Sequence, residues 1–105
     1  MAQFTVYRNL NQASRDSYPY FVDVQNDLLD ALSSRVVIPL ARKERLGGRI
    51  MDNLSAELEI EGEILVLLTH QITTVPLSAL KDPVCQANRW RGDILLAIDF
   101  LITGI

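Results

Sequence analysis

A chain of 105 residues suits one domain, and with 49% hydrophobic residues it can bury a real core. A net charge of -3 argues against general nucleic-acid binding, which asks for a basic surface. The single Cys85 excludes an internal disulfide, and one Cys with one His gives too few ligands for a zinc site. Met1 to Leu10 holds no apolar run of signal-peptide type, so a soluble cytoplasmic protein is expected.

In chain order, Gln3 to Tyr7 alternates large and polar groups and predicts a short strand. Arg8 to Ser17 is polar and predicts an exposed loop. Tyr20 to Gln25 predicts a second strand paired with the first, with Pro19 at its start. Asn26 to Asp30 breaks the alternation. Leu28 and Leu29 between Asp27 and Asp30 suit a turn with partly exposed apolar tips, or a loop that one leucine anchors to the core. Asp23, Asp27 and Asp30 read as solvated punctuation around that turn. Ser33 to Arg35 predicts a turn, and the β-branched run Val36 to Leu40 a buried strand, with Pro39 marking an edge, a bulge or the strand end.

Arg42 to Arg49 gathers four of the ten basic residues around Gly47-Gly48. A solvated, mobile excursion is the commoner cause of such a run, a nucleic-acid contact the sharper one. The glycine pair lacks the spacing of a phosphate-binding loop. Leu58 to Thr69 predicts a hairpin that turns near Glu61-Gly62-Glu63, where Gly62 can supply a positive φ. Its second arm is continuously apolar and belongs in the middle of a sheet. His70 to Leu77 predicts one more short β segment ended by Pro76, with His70 as a polar strand-end group. Asp82-Pro83 predicts a turn before the terminal helix.

From Ile94 to Ile102 nine residues run without Gly or Pro, and Asp99 is the only polar one. Leu and Ala favour a helix. At about 100° per residue, Ile94, Ala97, Ile98 and Leu101 share one side. A surface helix wets its other side, yet this one has almost nothing to wet. The run is too short for a membrane span, which needs about 20 apolar residues. The helix is expected to pack on its own domain with one face and on a second subunit with another; a plain core helix of a monomer is the alternative. With about five to seven strands before it, the order gives an α+β fold, a small antiparallel barrel or curled sheet capped by the helix.

No H-x-x-x-H, C-x-x-C, G-x-S-x-G or Walker pattern occurs, so no catalytic residue, cofactor site or metal site is assigned.

Five blocks stand out, Gln3 to Tyr7, Phe21 to Asp30, Val37 to Leu40, Thr73 to Leu77, and Asp93-Ile94 through Gly104-Ile105. In this order they resemble the CcdB family, toxins of the ccd toxin–antitoxin module that poison DNA gyrase. Residues 42 to 62 match poorly. The resemblance implies one toxin domain over residues 1–105, an SH3-like small antiparallel β-barrel with an extra small sheet and a C-terminal helix, in a homodimer. It implies no chemistry of its own: such a toxin binds the A subunit of DNA gyrase and traps the cleaved complex. It carries the gyrase-binding role to Leu28 and Leu29, to Asp99 and Ile102, and to Thr103, Gly104 and Ile105. The family pattern has Trp where this chain has Thr103, so stacking on a gyrase arginine is lost. A CcdA-like antitoxin is the second implied partner, its disordered segment folding over the toxin, with operator DNA reached only through that complex. Two other readings stand beside this one. A MazF-like endoribonuclease on the same fold would draw on His70, Arg35 and the 42–49 stretch, and a non-toxic interaction domain would follow from the loss of the tryptophan.

Overall fold

The computed structural model describes residues 2–48 and 54–104. The strands are β1 (Thr5–Arg8), β2 (Tyr20–Asp23), β3 (Ser34–Arg42), β4 (Glu57–Ile60), β5 (Glu63–Leu67), β6 (Thr73–Pro76) and β7 (Pro83–Gln86). A single helical turn, α1 (Lys43–Leu46), follows β3, and α2 spans Arg91–Thr103. The strands pair antiparallel in the order β4-β5-β3-β2-β1-β7, and β6 pairs with β3 off that path.

The long strand β3 is the hub. Its middle, Val37 to Leu40, pairs with β2. On the other edge its first half, Ser34 to Val37, pairs with β6, and its end, Leu40 to Arg42, pairs with β5. One strand thus belongs to two arms, and the sheet curls into a half-barrel capped by α2. This is the α+β architecture the sequence implied.

Side chains alternate across a strand, so register decides the core. Val6 faces Val22 and Val22 faces Ile38, while Leu40 sits between Tyr20 and Leu67, and Leu58 opposes Leu65. All are buried on the inner face with Phe4, Ile60 and Ala87, and Ile94 and Ala97 of α2 close the core. Burying each large aliphatic side chain contributes about 1.5–3 kcal/mol. The outer face carries a smaller cluster, Tyr7, Val37 and Leu80, with Phe21 and Val75 against it.

Several local expectations need correction. Ser34 and Arg35 are not a turn but the first residues of β3, because pairing with β6 recruits them. Pro39 lies inside β3 without ending it. It has no N–H to lose, and its carbonyl accepts from the Leu68 N–H at 3.0 Å. Pro83 opens a strand, since proline is tolerated at the first position of an edge strand. His70 is in a 3-10 turn, Thr69–Gln71, and β6 starts only at Thr73. The hairpin turns on two residues, Glu61 (φ 51) and Gly62 (φ 80), both in the left-handed region that a two-residue turn needs. Within the basic stretch Lys43–Leu46 is helical, while Arg49 lies outside the described residues.

Candidate functional site

The segment from Asp23 to Arg35 holds the least expected chemistry in the molecule. Arg35 is 1% exposed and Asp23 0%, both among the most buried side chains. An isolated buried charge is very costly, so each must find partners. The Arg35 guanidinium donates from Nε to Asp23 Oδ2 at 2.9 Å and from Nη2 to the Gln25 carbonyl at 3.1 Å. It donates further from Nη2 to Asp27 Oδ1 at 3.3 Å and from Nη1 to Asp30 Oδ1. Asp23 completes its shell with the Gln25 N–H at 3.0 Å. Asp23 is therefore not solvated punctuation, and Asp27 and Asp30, though half exposed, are tied to the same group. All three are the acceptors of one planar fork, which Arg can serve because its donors are fixed in geometry. Burial pushes the Asp23 carboxyl above its ordinary range, opposed by the Arg35 guanidinium and the Gln25 N–H. Burial works against the Arg35 charge as well, yet the carboxylates outweigh it and hold the guanidinium more firmly protonated than usual.

Around this fork the chain makes a 3-10 turn, Asp27–Leu29, in which no residue is buried. Asn26 caps it, accepting from the Leu28 N–H at 2.8 Å. The Gln25 side chain reaches from the fork into the turn. Its Nε2 donates to the Leu29 carbonyl at 3.3 Å, and its Oε1 accepts from the Val36 N–H at 3.0 Å. Gln3 meets the turn from the chain start, its N–H on Asp27 Oδ1 at 2.8 Å. Leu28 is left 89% exposed, and Leu29 and Leu32 are about half exposed. Neither predicted leucine anchors the loop to the core. Leu32 joins them because its N–H closes a further turn on the Leu29 carbonyl at 3.1 Å. Lone apolar residues at a surface need no explanation, but three within five positions on a braced turn do.

The second group lies on α2. Ile94 and Ala97 face the core, with Leu95 and Ile98 beside them, while Leu96 is 66% and Ile102 74% exposed. Leu96, Asp99 and Ile102 recur every third residue and form the outward stripe with Thr103. The Thr103 hydroxyl is used inside the helix, donating to the Asp99 carbonyl at 2.7 Å. Gly104 ends the helix in the left-handed conformation, φ 74 and ψ 17, its N–H on the Phe100 carbonyl at 2.9 Å. Ile105 lies outside the described residues. The predicted residues thus form two groups, Leu28 with Leu29 and Asp99 with Ile102, Thr103 and Gly104. Among the described residues no hydrogen bond or ion pair joins them.

The residues named for a ribonuclease are not drawn together. Arg35 is buried and already meets three carboxylates, so it has no face for a phosphate. His70 is exposed. Among the described residues no His, Cys, Asp and Glu cluster is placed to hold a metal ion, and no helix is long and apolar enough to cross a membrane. Sequence reasoning named Arg35 only for a ribonuclease and missed its buried fork, and it missed Leu32 altogether. The signal for Arg35 was present in part, as a basic residue that the three aspartates could neutralise, but the pairs are 12, 8 and 5 positions apart and only the fold joins them.

A family model described as CcdB protein matches residues 3–104, almost the whole chain. The curled sheet, the terminal helix and this match agree, and the chain belongs to the CcdB family, that of toxins of type II toxin–antitoxin modules.

Proposed function

We propose that this protein binds the A subunit of DNA gyrase and stabilises the gyrase–cleaved DNA complex. The observation that carries the reading is the turn at Asp27–Leu29, built to hold Leu28 and Leu29 in water. Aliphatic side chains on a rigid support are suited to be anchors in a partner's pocket. The outward end of α2 supplies the second contact through Asp99, Ile102, Thr103, Gly104 and Ile105. A ligand that fits only the opened gate of the enzyme shifts the population toward the cleaved state, and no bond need be made or broken by the toxin. A second copy of the chain covers the outward apolar side of α2 around Leu96, giving the homodimer. A CcdA-like antitoxin neutralises the toxin by folding over the side of the Arg8 to Ser17 loop. There a shallow cleft of about 290 Å³ is lined by Arg8, Arg15, Arg42 and Asp16, with Arg8 also paired to Glu61 and Arg42 to Glu63. The toxin–antitoxin complex, not the acidic toxin alone, sits on operator DNA. The protein acts in the cytoplasm, where gyrase is.

The test is expression in cells with normal gyrase and in cells whose gyrase A protein is altered at the toxin site. Growth arrest with gyrase-linked DNA breaks in the first, and rescue in the second, is the expected result. Arrest in both with cut RNA, or arrest in neither, overturns it. Sedimentation at micromolar concentration checks the dimer independently.

A further inference from the structure

We propose that Arg35 is a positioning residue: from inside the protein its guanidinium fixes the backbone of the Asp27–Leu29 turn and so sets where Leu28 and Leu29 stand. The proposal rests on the reading that this turn docks on gyrase, and adds a residue that the partner never touches.

A three-residue 3-10 turn is not stable by itself, because fixing the first turn of a helix costs more than one hydrogen bond returns. This turn has no buried residue to hold it down. What holds it is polar. Asp27 and Asp30 bracket the turn, and both are tied to the same guanidinium. Gln25 lies just before it, with its carbonyl on Arg35 and its side chain on the Leu29 carbonyl. Asp23, at the end of β2, anchors the guanidinium to the sheet. Arg35 itself is locked in β3, paired with Val75 of β6. The Gln25 side chain makes one bridge from β3 to the turn, from the Val36 N–H to the Leu29 carbonyl, and Arg35 makes the charged one, with five fixed donors that reach both ends of the turn. The solvent-side partners Asp27 and Asp30 are about half exposed, so they add little to burying the guanidinium and much to locating the turn.

The arrangement separates fixing the turn from holding the fold. Asp23 makes the buried pair, while Asp27 and Asp30 make only the outer bonds. The test therefore leaves Arg35 and Asp23 in place and uses the full-length protein with Asp27→Asn and Asp30→Asn combined. Both changes keep an acceptor oxygen and remove the charge that makes the bond strong. Amide exchange is followed by NMR, and affinity for a gyrase A fragment by calorimetry, with Leu28→Ala as the control for direct contact. The expected result is exchange about tenfold faster at the Leu28, Leu29 and Asp30 amides, with α2 unchanged. Affinity should fall about tenfold with the melting temperature nearly kept, and Asp30→Glu should restore most of it.

Parental exchange and parental affinity in the double variant, with Leu28→Ala weakened, overturn the proposal. Weakened affinity with parental exchange also overturns it, because the aspartates then touch the partner themselves. If Leu28→Ala binds as tightly as the parent, the docking reading has failed, and the exchange rates alone judge the hold of Arg35 on the turn.

Discussion

The Asp27–Leu29 turn and the end of α2 both keep aliphatic side chains in water, and they do so by opposite means. The helix supplies its own rigidity. It has 13 residues, two of them buried in the core, and a left-handed glycine whose N–H meets the Phe100 carbonyl. The turn has three residues and none buried, and it borrows rigidity from a charge inside the protein. The helix end should therefore answer to local changes at its cap, and the turn to a change at Arg35, which lies inside the sheet.

The strongest way to break this contrast is Arg35→Met. It leaves Asp23 buried without its main partner, and removing one member of a buried pair costs about 3–5 kcal/mol. Urea unfolding should show that loss. Replacing Asp23 as well, in Arg35→Met with Asp23→Leu, should recover part of it, because an apolar pair can substitute for an ionic one. A single variant as stable as the parent would mean that the fork contributes nothing to the fold.

Next come the exposed side chains themselves. Leu28→Ala and Ile102→Ala should each weaken binding to a gyrase A fragment by about 1–2 kcal/mol, near tenfold, with the unfolding midpoint almost unchanged. Comparable losses put both displays in one interface. A loss at only one of them breaks the comparison and leaves the other as ordinary surface.

How far each display can be read from sequence follows from the same difference. The helix is written in neighbouring residues: Ile94, Ala97 and Ile98 fall on one side by period alone, and the excess of apolar residues opposite them signals a second contact. The alternation of β1 and β2 and the Gly62 turn are local in the same sense. The fork around Arg35 is not local. Its partners come from the end of β2, the turn and the start of β3, and each stretch alone reads as a polar connection. β7 is hidden for another reason. Pro83-Val84-Cys85-Gln86 has weak alternation and is held as a strand by β1, at the far end of the chain. For Leu28 and Leu29 the local pattern left exposed tips and a core anchor equally open, and their support was not legible at all.

A smaller effect sharpens the view of the helix end. Gly104→Ala forces a Cβ into a left-handed position, at a cost of about 1 kcal/mol. Exchange should rise at the last amides of α2 and stay constant at Leu28 and Leu29. Equal effects at both places would mean that the two displays are coupled within one protomer.

The smallest effect tests whether burial is what gives the Arg35 fork its strength. Arg8 makes an exposed counterpart: its Nη2 donates to both oxygens of Glu61, at 2.7 and 2.9 Å, and the Tyr20 hydroxyl donates to Glu61 at 3.0 Å. The hydrogen bond from Arg8, then that from Tyr20, hold the Glu61 carboxyl below its ordinary value of 4.5. A carboxyl lowered in the folded state adds stability above its unfolded value and loses that contribution as pH falls through the folded one. Glu61→Gln should therefore change neutral stability little and flatten the decline in stability below about pH 4.5. High salt should erase the difference, since exposed pairs are screened. Thermal melts between neutral and acid pH, with and without salt, measure this directly. A Glu61→Gln loss at neutral pH as large as that of Arg35→Met would show that the two pairs are equivalent, and that burial is not what sets the Arg35 fork apart.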